Sequence, residues 1–302
     1  MQIRIGTRNS PLAMWQARKV EQKLNDLGYA TLLVPVLSSG DKNLLQPLYS
    51  LGITGVFTRD LDVSLLNKEI DIAVHSLKDV PTLLPENIEL LSVLERDFPQ
   101  DILIKKSKAK DKPIAELKVA TSSLRRRAFW LNHYPHAEFS DIRGNIQTRL
   151  KKLEEGTMDA TILSLAGIKR MEMEIDYHDL PFMLPAPSQG VIAIAGHREN
   201  EKINQAVRQI NHRETQICVD IERSFLRHLE GGCTAPIGAF ASKESNIVSF
   251  EGRLSSLDGK NQIKINRIFE WNEQENFGAN FATYILENGG KEMMQEIKSQ
   301  QQ

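Results

Sequence analysis

The stretch Asp71-Ile72-Ala73-Val74-His75-Ser76-Leu77 is echoed later in the chain by Asp159-Ala160-Thr161-Ile162-Leu163-Ser164-Leu165. Each stretch places a short apolar run between an Asp and a Ser-Leu pair, which is typical of a buried strand that ends in a polar loop. A strand, a Thr/Ser turn and the start of a helix precede both stretches, at residues 5–12 and 119–124. Chance is one explanation of so short an echo, and two lobes of similar topology are the interpretation that it favours.

Short apolar runs alternate with amphipathic stretches along the first lobe. Strands separated by helices favour parallel pairing and therefore an α/β fold. Pro35 favours an edge or end position for its strand, and residues 191–195 are predicted to return to the sheet of this lobe. The predicted strands are 3–5, 32–36 and 72–74, and the predicted helices are 12–24 and 57–66.

Two Pro-containing segments, 97–101 and 184–190, are predicted to cross between the lobes. In such lobes the carboxyl ends of the strands face a shared crevice, where α/β proteins bind ligands. A third, C-terminal domain is predicted to contain a helix over 215–229, strands near 237–241, 247–254 and 263–269, and a last helix over 277–288. The predicted division is therefore 1–96 with 191–212 for the first lobe, 97–190 for the second, and 213–302 for a smaller α+β domain.

Composition excludes several function classes. The 302 residues include 38 Lys+Arg and 39 Asp+Glu, so the chain lacks the basic footprint of a nucleic-acid-binding protein. Two cysteines form neither a disulfide framework nor a four-ligand zinc site, and a reducing cytoplasm is the expected compartment. We expect no signal peptide and no membrane span.

Arginines cluster at predicted helix starts. Thr121-Ser122-Ser123-Leu124-Arg125-Arg126-Arg127 places three cations where the helix dipole repels them, and a bound anion would account for them. A solvated basic face is the alternative. Arg8, Arg143 and Arg149 also lie near helix starts. Because no phosphate loop is present, carboxylates suit these arginines at least as well as phosphates.

Two loops carry candidate reactive groups. In His75-Ser76-Leu77-Lys78-Asp79-Val80-Pro81, Asp79 could act as a general acid or base or stabilise a cation, and Lys78 could bind an anion. A salt-bridged turn is the alternative. Cys233 follows two glycines and could be a nucleophile, an attachment point or an incidental thiol, whereas Cys218 is predicted to be core.

Together these segments resemble the hydroxymethylbilane synthase, or porphobilinogen deaminase, family. The segments His75–Pro81 and Glu230–Cys233 are the most specific. The matching stretches follow the family order and comprise 4–13, 71–81, 121–126, 143–149, 166–170 and 230–238.

The resemblance implies a transferase of periplasmic-binding-protein-like lobes. It would join four porphobilinogen molecules on a dipyrromethane cofactor, held by a thioether to Cys233, and act as a cytoplasmic monomer. It also implies that Asp79 stabilises the cation left by ammonia loss. Implied cofactor-binding residues are Lys78, Ser123, Arg125, Arg126 and Arg170. Implied substrate-binding residues are Arg8, Ser10, Phe57, Arg143, Arg149 and Gln189.

Some positions depart from the family pattern. The loop 50–57 lacks both of the usual lysines, and Ser188 stands where the pattern has glycine. Ala195 replaces a common Glu. Two rival interpretations stay open: a non-catalytic two-lobe anion-binding protein, which would not need Cys233 or Asp79, and a phosphoribosyl-transferring enzyme, which should show a phosphate loop.

Overall fold

A computed structural model of the chain describes residues 1–37, 58–229 and 235–300. These residues form two compact units. The first contains residues 1–37, 58–97 and 189–217, and the second contains 98–188, 218–229 and 235–300. Within the described parts of the chain, no helix is both long and apolar enough to cross a membrane.

The regular elements follow one another in this order. The strands are β1 (Gln2–Arg8), β2 (Ala30–Val36), β3 (Ile72–Ser76), β4 (Ile88–Val93), β5 (Asp101–Lys105), β6 (Val119–Ala120), β7 (Phe139–Ser140), β8 (Ala160–Ser164), β9 (His178–Asp179), β10 (Ile192–His197), β11 (Ile237–Glu244), β12 (Ile247–Ser255) and β13 (Gln262–Glu270). The α-helices are α1 (Pro11–Asp26), α2 (Arg59–Leu66), α3 (Leu124–His133), α4 (Ile146–Glu155), α5 (Leu165–Arg170), α6 (Glu201–Arg208), α7 (Arg213–His228), α8 (Phe277–Ile285) and α9 (Lys291–Ser299).

The first unit contains a five-stranded sheet in the order β2-β1-β3-β10-β4. Its first three strands are parallel, and β2, which contains Pro35, lies at the edge as predicted. The predicted return of residues 191–195 is also confirmed, because β10 pairs with β3 and β4. Both of those pairings are antiparallel, so the expectation of parallel pairing holds only for β1, β2 and β3. The chain re-enters beside the carboxyl end of β3, where Ile192 pairs with Ser76, and must therefore run back along it.

The second unit repeats this topology in a sheet ordered β7-β6-β8-β5-β9. Strand β6 is parallel to β7 and β8, while β5 is antiparallel to β8 and β9. The order and the directions of the strands are the same as in the first sheet. Strands β7, β6 and β8 correspond to β2, β1 and β3, and strands β5 and β9 correspond to β10 and β4. The prediction of two lobes of similar topology is confirmed.

The smaller C-terminal domain is built on the antiparallel meander β11-β12-β13. All three strands agree with the predicted ones, and the α/β class with a smaller C-terminal α+β domain is confirmed. The predicted last helix ends earlier, at Ile285, because Gly289 takes φ +99° in the segment after it. A further helix, α9, then follows and was not predicted. The predicted domain boundaries remain a prediction.

Apolar burial holds the strand ends of the first sheet in place. Ile5 and Val74 are buried on one face against Ala17 and Val20 of α1. On the other face, Ala73 packs against Leu61 and its neighbours on α2. Each fully buried side chain of this size stabilises the fold by roughly 1.5–3 kcal/mol, so the loops that follow β1 and β3 begin from rigid positions.

Candidate functional site

In the first unit, a cavity of about 80 Å³ lies at the carboxyl ends of β1 and β3. That volume has room for two or three waters, or for one small polar group. Three predicted site residues, Arg8, Ser10 and Asp79, line this cavity together. Loops at the carboxyl ends of parallel strands are where α/β proteins bind ligands.

The turn after β1 is fixed by hydrogen bonds to the start of α1. The N–H of Ala13 donates to Ser10 Oγ at 3.3 Å, so Ser10 is the N-cap of this helix. Thr7 Oγ1 donates to the carbonyl of Ala13 at 3.0 Å. Gln16 Nε2 donates to Ser76 Oγ at 2.8 Å and ties α1 to the end of β3. Gln16 also lines the cavity, and sequence reasoning missed it because nothing distinguishes it from other helix residues.

The segment after β3 forms a single 3₁₀ turn over Leu77–Asp79. Leu77 is buried, so it anchors the turn while its two polar neighbours remain partly accessible. Lys78 Nζ donates to Gln189 Oε1 at 3.2 Å. Gln189 is fully buried, and its carbonyl accepts a hydrogen bond from Arg96 Nη1 at 3.4 Å. The structure therefore brings together two further predicted site residues, Lys78 and Gln189.

His75 lies in the wall of the same cavity and is buried. Burial and, to a smaller extent, the positive charge of Arg8 together lower the pKa of His75 to about 4. At neutral pH the imidazole is therefore uncharged. Asp79 faces the cavity beside an uncharged ring and a permanently charged guanidinium.

In the second unit, Ser123 is the N-cap of α3 and accepts a hydrogen bond from the N–H of Arg126 at 3.4 Å. Arg125 and Arg126 are buried, and each places Nη2 2.7 Å from a carboxylate oxygen of Asp101 on β5. Burial lowers the pKa of Arg125, the charge of Asp101 raises it, and the like charge of Arg126 lowers it. Asp101 was not predicted as a site residue, because residues 97–101 were interpreted as a segment that crosses between the lobes.

A second group of cations lies at the start of α4. Its N-cap is Asn145, whose Oδ1 accepts a hydrogen bond from the N–H of Thr148 at 2.8 Å, so the helix begins directly after Asn145. Arg149 Nε donates to the carbonyl of Gly144 at 2.7 Å. Arg143 Nη1 is buried and has no hydrogen-bond partner among the described residues. A buried guanidinium nitrogen without a hydrogen-bond partner is suited to bind an anionic ligand.

Of the remaining positions that the sequence analysis singled out, some are described by the structure and others are not. Arg170 is buried in the last turn of α5, a position that the helix dipole favours for a cation. Ser188 has φ +66°, in the left-handed region that favours glycine, and its N–H donates to Glu222 Oε2 at 2.6 Å. Cys233 and Phe57 lie outside the described residues, while Cys218 is buried in α7 as predicted.

Comparison with known proteins gives matches over most of the chain. A family model described as porphobilinogen deaminase, dipyromethane cofactor binding domain, matches residues 3–205. A second, described as porphobilinogen deaminase, C-terminal domain, matches residues 216–287.

Curated relatives match at full length. The porphobilinogen deaminase of Desulfosudis oleivorans is 40% identical, with 100% of this chain and 99% of that protein covered. That of Desulfitobacterium hafniense is 39% identical, with 98% of each covered. A solved periplasmic substrate-binding protein of an ABC transporter from Coxiella burnetii is 12% identical, with a TM-score of 0.43 over 73% of this chain and 96% of that one.

Proposed function

Because the chain belongs to the porphobilinogen deaminase, or hydroxymethylbilane synthase, family, we propose that Asp79 acts at the reacting centre and that its arginines bind the acid groups of the pyrroles. The enzyme is a transferase of tetrapyrrole biosynthesis. It condenses four porphobilinogen molecules head to tail, with release of ammonia, and then hydrolyses off 1-hydroxymethylbilane. Family membership does not favour the alternative of a non-catalytic anion-binding protein.

The observation that carries the role of Asp79 is its place in one cavity with Arg8 and Ser10. Loss of ammonia from porphobilinogen leaves a cationic ring, and a carboxylate beside it lowers the energy of that charge. Asp79 can also take up and return a proton at its carboxylate oxygens. Arg8 would bind a carboxylate of the same substrate and so hold its reacting carbon near Asp79.

The donor set fits a cofactor that carries acetate and propionate groups. Guanidiniums match the planar carboxylate with paired N–H donors, and Arg125 and Arg126 are held side by side at the start of α3. We assign these two residues, with Lys78, Ser123 and Arg170, to the dipyrromethane. The dipyrromethane, linked to Cys233, supplies the pyrrole to which the first substrate molecule is joined.

The incoming substrate is assigned to Arg8, Ser10, Arg143 and Arg149. Arg143 supports this assignment best, since its Nη1 is buried without a partner among the described residues. Arg149 is oriented by its hydrogen bond to the carbonyl of Gly144. We further propose that Phe57 packs beside a pyrrole ring and that Gln189 fixes the ammonium of Lys78.

The test is the reaction of the purified protein with Ehrlich's reagent and with porphobilinogen. A bound dipyrromethane should develop colour, and added porphobilinogen should be consumed with release of one ammonia for each molecule joined. A protein that neither develops colour nor consumes porphobilinogen would refute the proposed function.

We also propose that the enzyme is a cytoplasmic monomer without nucleic-acid or membrane partners. The balanced charge and the two cysteines support this proposal. Sedimentation equilibrium of the purified protein would test the oligomeric state.

A further inference from the structure

One buried carboxylate, that of Asp101, contacts two buried guanidiniums in the second unit. Asp101 Oδ1 accepts hydrogen bonds from Arg126 Nε at 3.1 Å and Nη2 at 2.7 Å. Its Oδ2 lies 2.7 Å from Arg125 Nη2. The two arginines are also tied to the backbone, because Nη1 of Arg125 donates to the carbonyl of Leu184 at 2.6 Å and Nη1 of Arg126 to that of Ile162 at 2.7 Å.

This convergence does not follow from the helix alone. Adjacent residues on a helix point in directions about 100° apart and do not face each other, yet Arg125 and Arg126 meet at the same carboxylate. Two buried like charges repel, and burial itself disfavours each of them. The negative charge of Asp101 offsets both effects and so stabilises the two guanidiniums side by side, together with their hydrogen bonds to backbone carbonyls.

We propose that Asp101 is a positioning residue for cofactor binding: it holds Arg125 and Arg126 in the one arrangement that receives the acid groups of the dipyrromethane. This inference rests on the proposed role of the two arginines. A guanidinium has five N–H donors, and the contacts with Asp101 and the backbone leave donors on both residues for a further carboxylate. The side chain of Asp101 is fully buried, so we assign it no contact with the cofactor.

The experiment compares Asp101→Asn with the wild type, both purified as folded full-length protein. Asn keeps the shape of Asp but turns one oxygen into an N–H donor that faces guanidinium donors. We expect about tenfold less Ehrlich-positive pigment per folded chain, the effect of losing one charge-assisted hydrogen bond. Because the substrate's acids are assigned to other arginines, the KM for porphobilinogen of the remaining holoenzyme should stay close to that of the wild type.

Asp159→Asn is the matched control. Asp159 belongs to the same unit and pairs with Lys112 at 2.7 Å, but no hydrogen bond or ion pair joins it to Arg125 or Arg126 among the described residues. Its loss should lower stability and leave the pigment per folded chain unchanged. Asp101→Glu keeps the carboxylate and displaces it by one methylene, so its pigment should lie between those of Asp101→Asn and the wild type.

Wild-type pigment in Asp101→Asn would overturn the inference, as would an equal loss of pigment in Asp159→Asn. If Asp101→Asn does not fold, Asp101→Glu decides, and wild-type pigment in that variant overturns the inference. Arg126→Gln separates this inference from the proposed function. If Arg126→Gln keeps its full pigment, the assigned role of the arginine is wrong; if it loses pigment while Asp101→Asn does not, only the role of Asp101 is wrong.

Discussion

Asp79 is the single residue on which the proposed chemistry depends most. Asp79→Asn keeps the size of the side chain and removes its charge. We expect kcat to fall about 10²–10³-fold, as when one electrostatic group that stabilises a transition state is removed. The unfolding free energy should change little, because Asp79 is partly exposed. Initial rates of porphobilinogen consumption and urea unfolding measure the two effects.

Glu89→Gln provides the control for the loss of one carboxylate from the same unit. Glu89 accepts a hydrogen bond from Arg208 at 2.7 Å and does not line the cavity. An ion pair of this exposure contributes about 0–1 kcal/mol, so both rate and stability should be close to those of the wild type. Near-normal turnover by Asp79→Asn would show that its carboxylate is not needed.

His75 makes stability depend on pH. The unfolded chain takes up a proton near the ordinary pKa of 6.5, whereas the folded chain keeps His75 neutral down to about 4. The unfolding free energy is therefore retained above pH 6.5 and falls as the pH drops from 6.5 to 4, by an amount on the order of 3 kcal/mol. Urea unfolding at pH 7.5, 6, 5 and 4 measures this loss.

His75→Asn removes the titrating group, so the difference between its unfolding free energy and that of the wild type should shrink as the pH falls through this window. Other groups titrate equally in both proteins and cancel in the difference. Two curves that stay parallel from pH 7.5 to 5 would mean that His75 takes up its proton equally in the folded and unfolded chains.

At the scale of the element, the start of α4 depends on Gly144. Its φ is +120°, and an added Cβ would lie 2.6 Å from the side chain of Thr148. We expect Gly144→Ala to lower the unfolding free energy by about 1–3 kcal/mol, because the backbone conformation and the contact are both unfavourable. Since the carbonyl of Gly144 accepts from Arg149, the KM for porphobilinogen should also rise.

Gly28→Ala separates the cost of the backbone conformation from the cost of the contact with Thr148. Gly28 has φ +85°, but nothing lies within 4 Å of an added Cβ. This variant should therefore show only the conformational cost of the left-handed region, about 1 kcal/mol, with an unchanged KM. If both variants lose equal stability, contact with Thr148 does not contribute, and if Gly144→Ala keeps its KM, the position of Arg149 does not depend on this carbonyl.

Elements with strong local signals could be predicted, and those decided by distant pairing could not. Pro11 and the spacing of Ala17, Val20 and Leu24 predicted α1, which extends from Pro11 to Asp26. The direction of β10 depends on where the chain re-enters the sheet, and no local pattern encodes this. The contact of Asp101 with α3 was missed for the same reason, because it joins residues that are 25 positions apart.

At the scale of the whole molecule, the repeat of one sheet topology places the proposed site residues of each unit at equivalent points of its sheet. In the first unit, Arg8 ends β1 and Ser10 follows it; in the second, Ser123 and Arg125 follow β6, the strand at the same place in its sheet. The echo of residues 71–77 in 159–165 corresponds to the equivalent strands β3 and β8. The short repeated motifs were thus enough to predict two lobes of similar topology. The contacts that each motif makes could be read only from the folded structure.

The proposed attachment of the cofactor uses one of the two cysteines of the chain. Cys218 is buried in α7, and Cys233 lies outside the described residues. Intact-protein mass spectrometry should show an excess of two linked pyrrole units, and peptide mapping should place it on Cys233. Cys233→Ser should lose this excess and most activity, because a hydroxyl is a far weaker nucleophile than a thiolate near neutral pH. Cys218→Ser should keep both, so an unmodified native chain that is fully active, or an excess that follows Cys218, would contradict the proposed attachment.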